Sequence, residues 1–348
     1  MKKQGITLLA LALAAAMGMF GCGKGAETGA GASLPGTEVQ DPAERDTKVN
    51  DAVSDNTAAG KEDADRESLS KEESSGDEAD KGQKAENTVI LAVSFGTSYN
   101  DSREKTIGAI ERAMGSACPE YEVRRAFTAQ IIIDKLKKRD GLAIDNVTEA
   151  LDRAAADEVK TLVVQPTHLM NGLEYQDVIE ELKEHEEDFE RIVVGEPLLT
   201  SDKDFEAVAK AITDATKSYD DGKTAIVFMG HGTEAESNQV YEKMQMTLNE
   251  EGFQNYFIGA VEAKPDLEDV SAALKETGSY QRVVLAPLMV VAGDHASNDM
   301  AGDEEDSWKS VLAGEGYEVE CLLQGLGELK AIQDIYVEHV LAALEELN

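Results

Sequence analysis

From residue 87 to the end, short apolar runs alternate with segments at helical spacing, and this alternation restricts the fold more than any other feature. The runs are Thr88–Phe95, Tyr121–Phe127, Thr161–Gln165, Arg191–Val194, Thr224–Met229, Gln254–Val261, Arg282–Pro287 and Tyr317–Leu322. Between them lie amphipathic stretches such as Arg103–Met114, Val147–Ala155, Tyr175–Glu186, Asp204–Ser218, Asn238–Glu250, Leu267–Thr277 and Leu329–Leu347. Strands that are apolar on both faces need cover on both faces, and intervening helices supply it. The expected class is therefore α/β, built on parallel sheets flanked by helices.

The chain also repeats itself. Val93-Ser-Phe-Gly-Thr97 corresponds to Met229-Gly-His-Gly-Thr233, and Gln165-Pro-Thr-His-Leu-Met-Asn-Gly172 to Ala286-Pro-Leu-Met-Val-Val-Ala-Gly293. Two echoes in the same order point to duplication. The expectation is two similar halves, 87–220 and 221–348, each with a parallel sheet, facing each other across a cleft.

Residues 1–86 read differently. Lys2-Lys3, an apolar stretch from Ile6 to Phe20 and Gly21-Cys22 form a secretory signal with a lipobox-like end, which makes 1–22 a lipoprotein signal peptide and Cys22 the lipidated residue. Residues 23–86 hold 17 acidic and 8 basic residues and no aromatic one, so they lack the apolar surface to offset chain entropy and read as a disordered acidic tether. The expected location is extracytoplasmic, anchored to the membrane by lipid alone.

Net charge is −36, most of it on the part expected to fold, which argues against nucleic-acid binding. Cys118 and Cys321 lie far apart with no CxxC, which indicates neither a zinc ribbon nor a disulfide framework.

Three strand-like runs in the second half end on metal-grade side chains: Ile226–Gly230 on His231, Phe257–Val261 on Glu262, and Val283–Gly293 on Asp294-His295. In α/β sheets, groups just past the C-terminal strand ends converge on one crevice. Two imidazoles and a carboxylate there form an open divalent-metal site. Gly230-His231-Gly232 lacks the spacing of a phosphate loop, so no nucleotide is expected. Asp294, Asp299, Asp303, Glu304, Glu305 and Asp306 read as a solvated acidic loop, with weak collection of cations as the alternative. His168 and Glu174 are expected to face the same cleft. His185 and His339 have no supporting context and read as structural or surface residues.

Ser94-Phe-Gly-Thr-Ser98, Arg125-Ala-Phe-Thr128, Asn171-Gly172 with Glu174-Tyr175, Phe228-Met-Gly-His-Gly232, Val261-Glu262, Pro287–Ala296, Asn298-Asp-Met300, Asp306-Ser-Trp-Lys309 and Gly325-Leu-Gly-Glu328 resemble the anaerobic-type sirohydrochlorin cobaltochelatases. The resemblance covers essentially all of 87–348. It implies the class II chelatase fold and insertion of Co²⁺ into sirohydrochlorin during anaerobic cobalamin synthesis, with Fe²⁺ or Ni²⁺ as other metals. It also implies His231, Glu262 and His295 as metal ligands, with His231 as proton acceptor; on physical grounds Glu262 is expected to take or relay a second proton, and Phe95, Gly96, Thr97, His168 and Glu174 are the candidate pigment contacts. The expected partner is a small tetrapyrrole, and self-association stays open. The pigment's carboxylates sit awkwardly with so acidic a chain, and Arg103, Arg124 and Arg125 are the cations placed to offset them. The competing reading is an extracytoplasmic metal- or tetrapyrrole-binding lipoprotein without turnover.

Overall fold

The computed structural model describes residues 87–347 apart from Ser279. The signal peptide, Cys22 and the tether lie outside the described residues.

The first half runs β1 (Thr88–Ser94), α1 (Asn100–Lys105), α2 (Ile107–Ala117), β2 (Glu122–Phe127), α3 (Gln130–Asp140), α4 (Val147–Ala156), β3 (Thr161–Pro166), α5 (Leu173–Glu184), β4 (Arg191–Val194) and α6 (Asp202–Thr216). The second runs β5 (Thr224–Gly230), α7 (Gln239–Glu250), β6 (Tyr256–Ala260), α8 (Leu267–Thr277), β7 (Arg282–Pro287), α9 (Trp308–Gly314), β8 (Glu318–Cys321) and α10 (Lys330–Glu345). All eight expected strands form. Helices α3 and α9 are additions that the apolar periodicity did not announce.

Each sheet is parallel and four-stranded, in the order β2-β1-β3-β4 and β6-β5-β7-β8. The identical order carries the sequence echo into three dimensions. Every residue of β1 and β5 is buried, as the central strand of a sheet covered on both faces requires. Helix boundaries follow local chemistry. Capping boxes open α4 (Asn146 with Glu149), α6 (Ser201 with Asp204) and α8 (Asp266 with Asp269), and left-handed Gly141 and Gly278 close α3 and α8.

The halves are interlocked rather than merely adjacent. Helix α10, the last element of the chain, packs on α2, α6, β3 and β4 of the first half. Its buried Tyr336 donates from its hydroxyl toward the carbonyls of Thr167 (3.0 Å) and His168 (3.2 Å). His339, on the same helix, lies between the Glu196 carbonyl (3.0 Å from Nδ1) and Asp204 Oδ1 (3.2 Å from Nε2), so it ties α10 to α6. One core cluster accordingly joins Ile90 and Val163 of the first sheet to Phe228, Ile258 and Val284 of the second. None of the described helices is long and apolar enough to cross a membrane.

Candidate metal centre

In each sheet the chain steps from the central strand to one side and then returns to the other. The crevice of such a sheet opens where those connections diverge, beyond the C-terminal ends of β5 and β7. His231 follows β5 directly, Glu262 stands two residues past β6, and His295 lies beyond β7. Past the strands the backbones stay joined: Val261 N–H closes the β5–β6 ladder on Gly230 O at 3.0 Å, and in the bend that follows Glu262 N–H donates to His231 O at 2.8 Å. Two of the three candidate ligands are thus locked to each other through the backbone.

The glycines flanking His231 are sterically required. A Cβ at Gly230 would stand 2.1 Å from the ring of Tyr241, whose hydroxyl lies under the turn and accepts from Gly232 N–H at 3.1 Å. Gly232 adopts φ +92°, and a Cβ there would meet Ala263 N at 2.8 Å.

One ligand atom from each of His231, Glu262 and His295 falls within a sphere where all lie within 4.8 Å of one another. His231 Nε2 is 3.8 Å from Glu262 Oε2, and the two imidazoles meet edge to face with centroids 4.6 Å apart. Both rings have a hydrogen-bond acceptor at Nδ1: the Gly232 carbonyl at 2.8 Å for His231, and Asp299 Oδ2 at 2.7 Å for His295. Each Nδ1 therefore carries the proton, and each Nε2 keeps its lone pair for a metal. His231 and His295 are half-buried and Glu262 is exposed, so the site is reachable from the cleft. Two imidazoles and one carboxylate suit a borderline divalent ion, with positions left for a further ligand.

The model of the cobalt chelatase (CbiK) family matches residues 88–345. The chain belongs to that family. It is 38% identical over 256 residues to the sirohydrochlorin cobaltochelatase of Salmonella typhimurium, which covers 74% of this chain and 96% of that one. It is 31% identical over 261 residues to the sirohydrochlorin cobaltochelatase CbiKC of Nitratidesulfovibrio vulgaris, covering 74% of this chain and 91% of that protein. Among solved structures, SirB from Bacillus subtilis with Fe³⁺ superposes with a TM-score of 0.52 at 13% identity, over 75% of this chain and 97% of SirB, a likeness of fold alone.

In this cobalt chelatase the duplication places first-half residues opposite the triad. Strand registers align Val93 with Pro166 and Met229 with Pro287, so Phe95 occupies the position of His231 and Glu174 that of His295. Phe95 is 49% exposed, and Glu174, in the first turn of α5, is exposed beside Leu173, itself 59% exposed. Cross-half contacts bring the two sheet ends together: Tyr99 donates to Asp294 Oδ1 at 3.3 Å, and Gly172 approaches Ser237.

The other expected pigment contacts are placed differently. Gly96 and Thr97 are buried, and the Thr97 hydroxyl accepts from Tyr99 N–H at 3.3 Å, so they shape the turn behind Phe95. Both ring nitrogens of His168 are buried with no hydrogen-bond partner, and burial pulls its pKa down to about 4. It is a neutral imidazole whose backbone carbonyl is tied to α10 of the other half by Tyr336.

Two of the three expected cations are already neutralised. Arg124 pairs with Asp157 (2.7 Å) and Glu122 (2.9 Å), and Arg125 forks onto Glu111, with Nε 2.6 Å from Oε1. Both sit along β2 rather than at its cleft end. Arg103 does lie at the cleft, donating to Thr97 O (3.4 Å) and Asn100 Oδ1 (2.9 Å), with no carboxylate partner among the described residues. Cys118 and Cys321 are free thiols.

Sequence reasoning missed Tyr241 and did not pair Asp299 with His295, reading it only as part of an acidic loop that is solvated or weakly collects cations. The i,i+4 spacing of His295 and Asp299 was the available signal for the second. No local pattern marked Tyr241, because its contact with Gly232 crosses a turn.

Proposed function

We propose that this chain is a sirohydrochlorin cobaltochelatase that inserts Co²⁺ into the tetrapyrrole with release of two protons. The observation that carries this reading is the open His231–Glu262–His295 cluster, with exposed Phe95 at the repeat-equivalent position of the first half. The incoming ion is held by the two Nε2 atoms and the Glu262 carboxylate. The macrocycle rests against Phe95 and Leu173, with Glu174 beside it.

As the ion passes to the pyrrole nitrogens, His231 Nε2 gives up its metal bond and its freed lone pair accepts one N–H proton. Glu262 accepts the second. One dication enters and two protons leave, so the charge on the macrocycle is unchanged. Three protein ligands hold the ion loosely enough to hand it on, and the same donor set accommodates Fe²⁺ and Ni²⁺.

Anaerobic incubation of the protein with sirohydrochlorin and Co²⁺ should give the absorption change of the cobalt product. Stoichiometric pigment binding without a cobalt product, at excess Co²⁺, would replace the chelatase reading with that of a binding lipoprotein.

For the N-terminus the proposal is export and lipid anchoring at Cys22, supported by Lys2-Lys3, the apolar run Ile6–Phe20 and the Gly21-Cys22 junction. An acyl anchor depends wholly on that thiol. Cys22→Ser should therefore leave an unacylated precursor, whereas a wild-type protein found unacylated in the cytoplasm would rule the anchor out.

A further inference from the structure

The three candidate ligands stand on different elements. The backbones of His231 and Glu262 are hydrogen-bonded to each other, and the His231 ring is steadied within its own turn by Gly232 O. His295 stands apart from that pair: it follows Pro287 by eight residues, across the loop from Leu288 to Gly293, and lies in the short helical segment that runs into the π-helical turn Ala296–Met300. That turn is held by its own bonds, such as Ala301 N–H to Ala296 O at 3.2 Å. Isolated π-turns inside helical segments recur at functional sites.

An imidazole on this turn has two side-chain torsions, and a half-rotation of the ring about Cβ–Cγ exchanges Nδ1 for Cδ2 and Nε2 for Cε1. Only one orientation presents a lone pair to His231 and Glu262. Among the described residues, the one hydrogen bond to the His295 ring comes from Asp299, whose Oδ2 lies 2.7 Å from Nδ1.

Asp299 is also distinct among its acidic neighbours. Asp303 pairs with Lys309 at 2.7 Å, and Asp294 accepts from Asn298 (3.0 Å) and Tyr99 (3.3 Å). Asp299 has neither a Lys nor an Arg partner among the described residues and is committed to the imidazole alone. A carboxylate accepting from Nδ1–H selects the tautomer with Nε2 free, fixes the ring plane and makes Nε2 a stronger donor.

We propose that Asp299 is a positioning residue for cobalt capture: through His295 Nδ1 it holds the imidazole with Nε2 directed at the ion held by His231 and Glu262. This role rests on the triad being the Co²⁺ site. Asp299 touches neither ion nor pigment, so its removal should loosen the metal and change its ligand field while leaving the pigment's own affinity unchanged.

The test is Co²⁺ titration of the full chain, followed by calorimetry and by the visible bands of bound Co²⁺. It compares wild type, Asp299→Ala, Asp299→Asn, His295→Ala and the double variant His295→Ala/Asp299→Ala. Asp299→Ala should weaken Co²⁺ roughly 10–100-fold, as for loss of a group supporting a metal ligand, and shift the visible bands. Asp299→Asn keeps an oxygen acceptor and should fall between Asp299→Ala and wild type. Once the His295 ring is gone, losing Asp299 should cost nothing more, so the double variant should match His295→Ala.

Wild-type affinity and bands in Asp299→Ala, beside a weakened His295→Ala, would overturn the role of Asp299 and leave the triad standing. Additive losses in the double variant would also overturn it, by showing that Asp299 acts on the fold. Undiminished binding in His295→Ala would overturn the triad, and this role with it.

Discussion

The peptide N–H of Glu262 donates to the carbonyl of His231 at 2.8 Å, just past the β5–β6 ladder that Val261 N–H closes on Gly230 O. The carboxylate and the first imidazole of the candidate metal centre are therefore spaced by a direct backbone hydrogen bond. Gly232 allows that turn to form, because its φ of +92° and its approach to Ala263 N leave no room for a side chain. Gly232→Ala should cost on the order of 1–3 kcal/mol, measured by urea unfolding, and should weaken Co²⁺ binding. Unchanged stability would show that the turn tolerates a Cβ and that the ladder does not depend on it.

The proposed mechanism gives His231 the double role of ligand and proton acceptor and rests the macrocycle mainly on the walls of the cleft. His231→Ala should abolish cobalt insertion and leave sirohydrochlorin affinity within about threefold, since neither lost function is a wall contact. Pigment titration by absorbance, run beside the insertion assay, separates the two. Residual turnover near the wild-type rate would remove His231 from the mechanism.

Phe95 stands where the repeat puts His231, and it exposes half its surface at the cleft. Covering that ring with a flat pigment removes apolar area worth about 1–2 kcal/mol at roughly 25 cal/mol per Å². Phe95→Ala should therefore raise KM for sirohydrochlorin about tenfold, with Co²⁺ affinity unchanged. A KM equal to that of the wild type would place the pigment elsewhere in the cleft.

Asp204 connects the fold to pH. Burial alone would raise its pKa, but hydrogen bonds from His339 and from Ser201 outweigh burial and hold it at about 2. A carboxyl lowered in the folded state favours folding above its unfolded value near 3.9, and that contribution is lost as pH falls toward about 2. The loss should be on the order of 2 kcal/mol. Neighbouring Glu196 acts in the opposite direction: burial raises its pKa, so protonation on the acid side relieves it. Urea midpoints across the acid range should fall in the wild type and flatten in Asp204→Asn. Parallel acid limbs in the two proteins would show that the α6–α10 tie does not set acid stability.

Much of this was legible in sequence for an identifiable reason. Apolar runs of strand length, bounded by amphipathic segments, leave a chain little choice but parallel sheets under helices, and all eight strands form where those runs lie. The triad could be read because strand ends converge geometrically, so a His or Glu just past a strand carries its position with it. Helix α3 escaped because Ile131-Ile-Ile133 shows no helical period. Ile131 stays 63% exposed while Ile133 and Leu136 are buried, a division made by the packing of the cluster around Phe127.

Tertiary structure alone decided which charges and imidazoles remained available. Arg124 and Arg125 are taken up by Asp157 and Glu111, partners that folding brings alongside β2, with Glu122 of β2 itself adding to Arg124. His168 sits at a strand end like His231, yet the seam between the halves, with α10 bonded to its backbone carbonyl, encloses its ring nitrogens. Spacing along a chain determines which side chains share a face. Only the docking of elements distant in sequence determines whether such a side chain meets solvent, a counter-charge or another wall of the protein, because burial and pairing arise from contacts that no local pattern encodes.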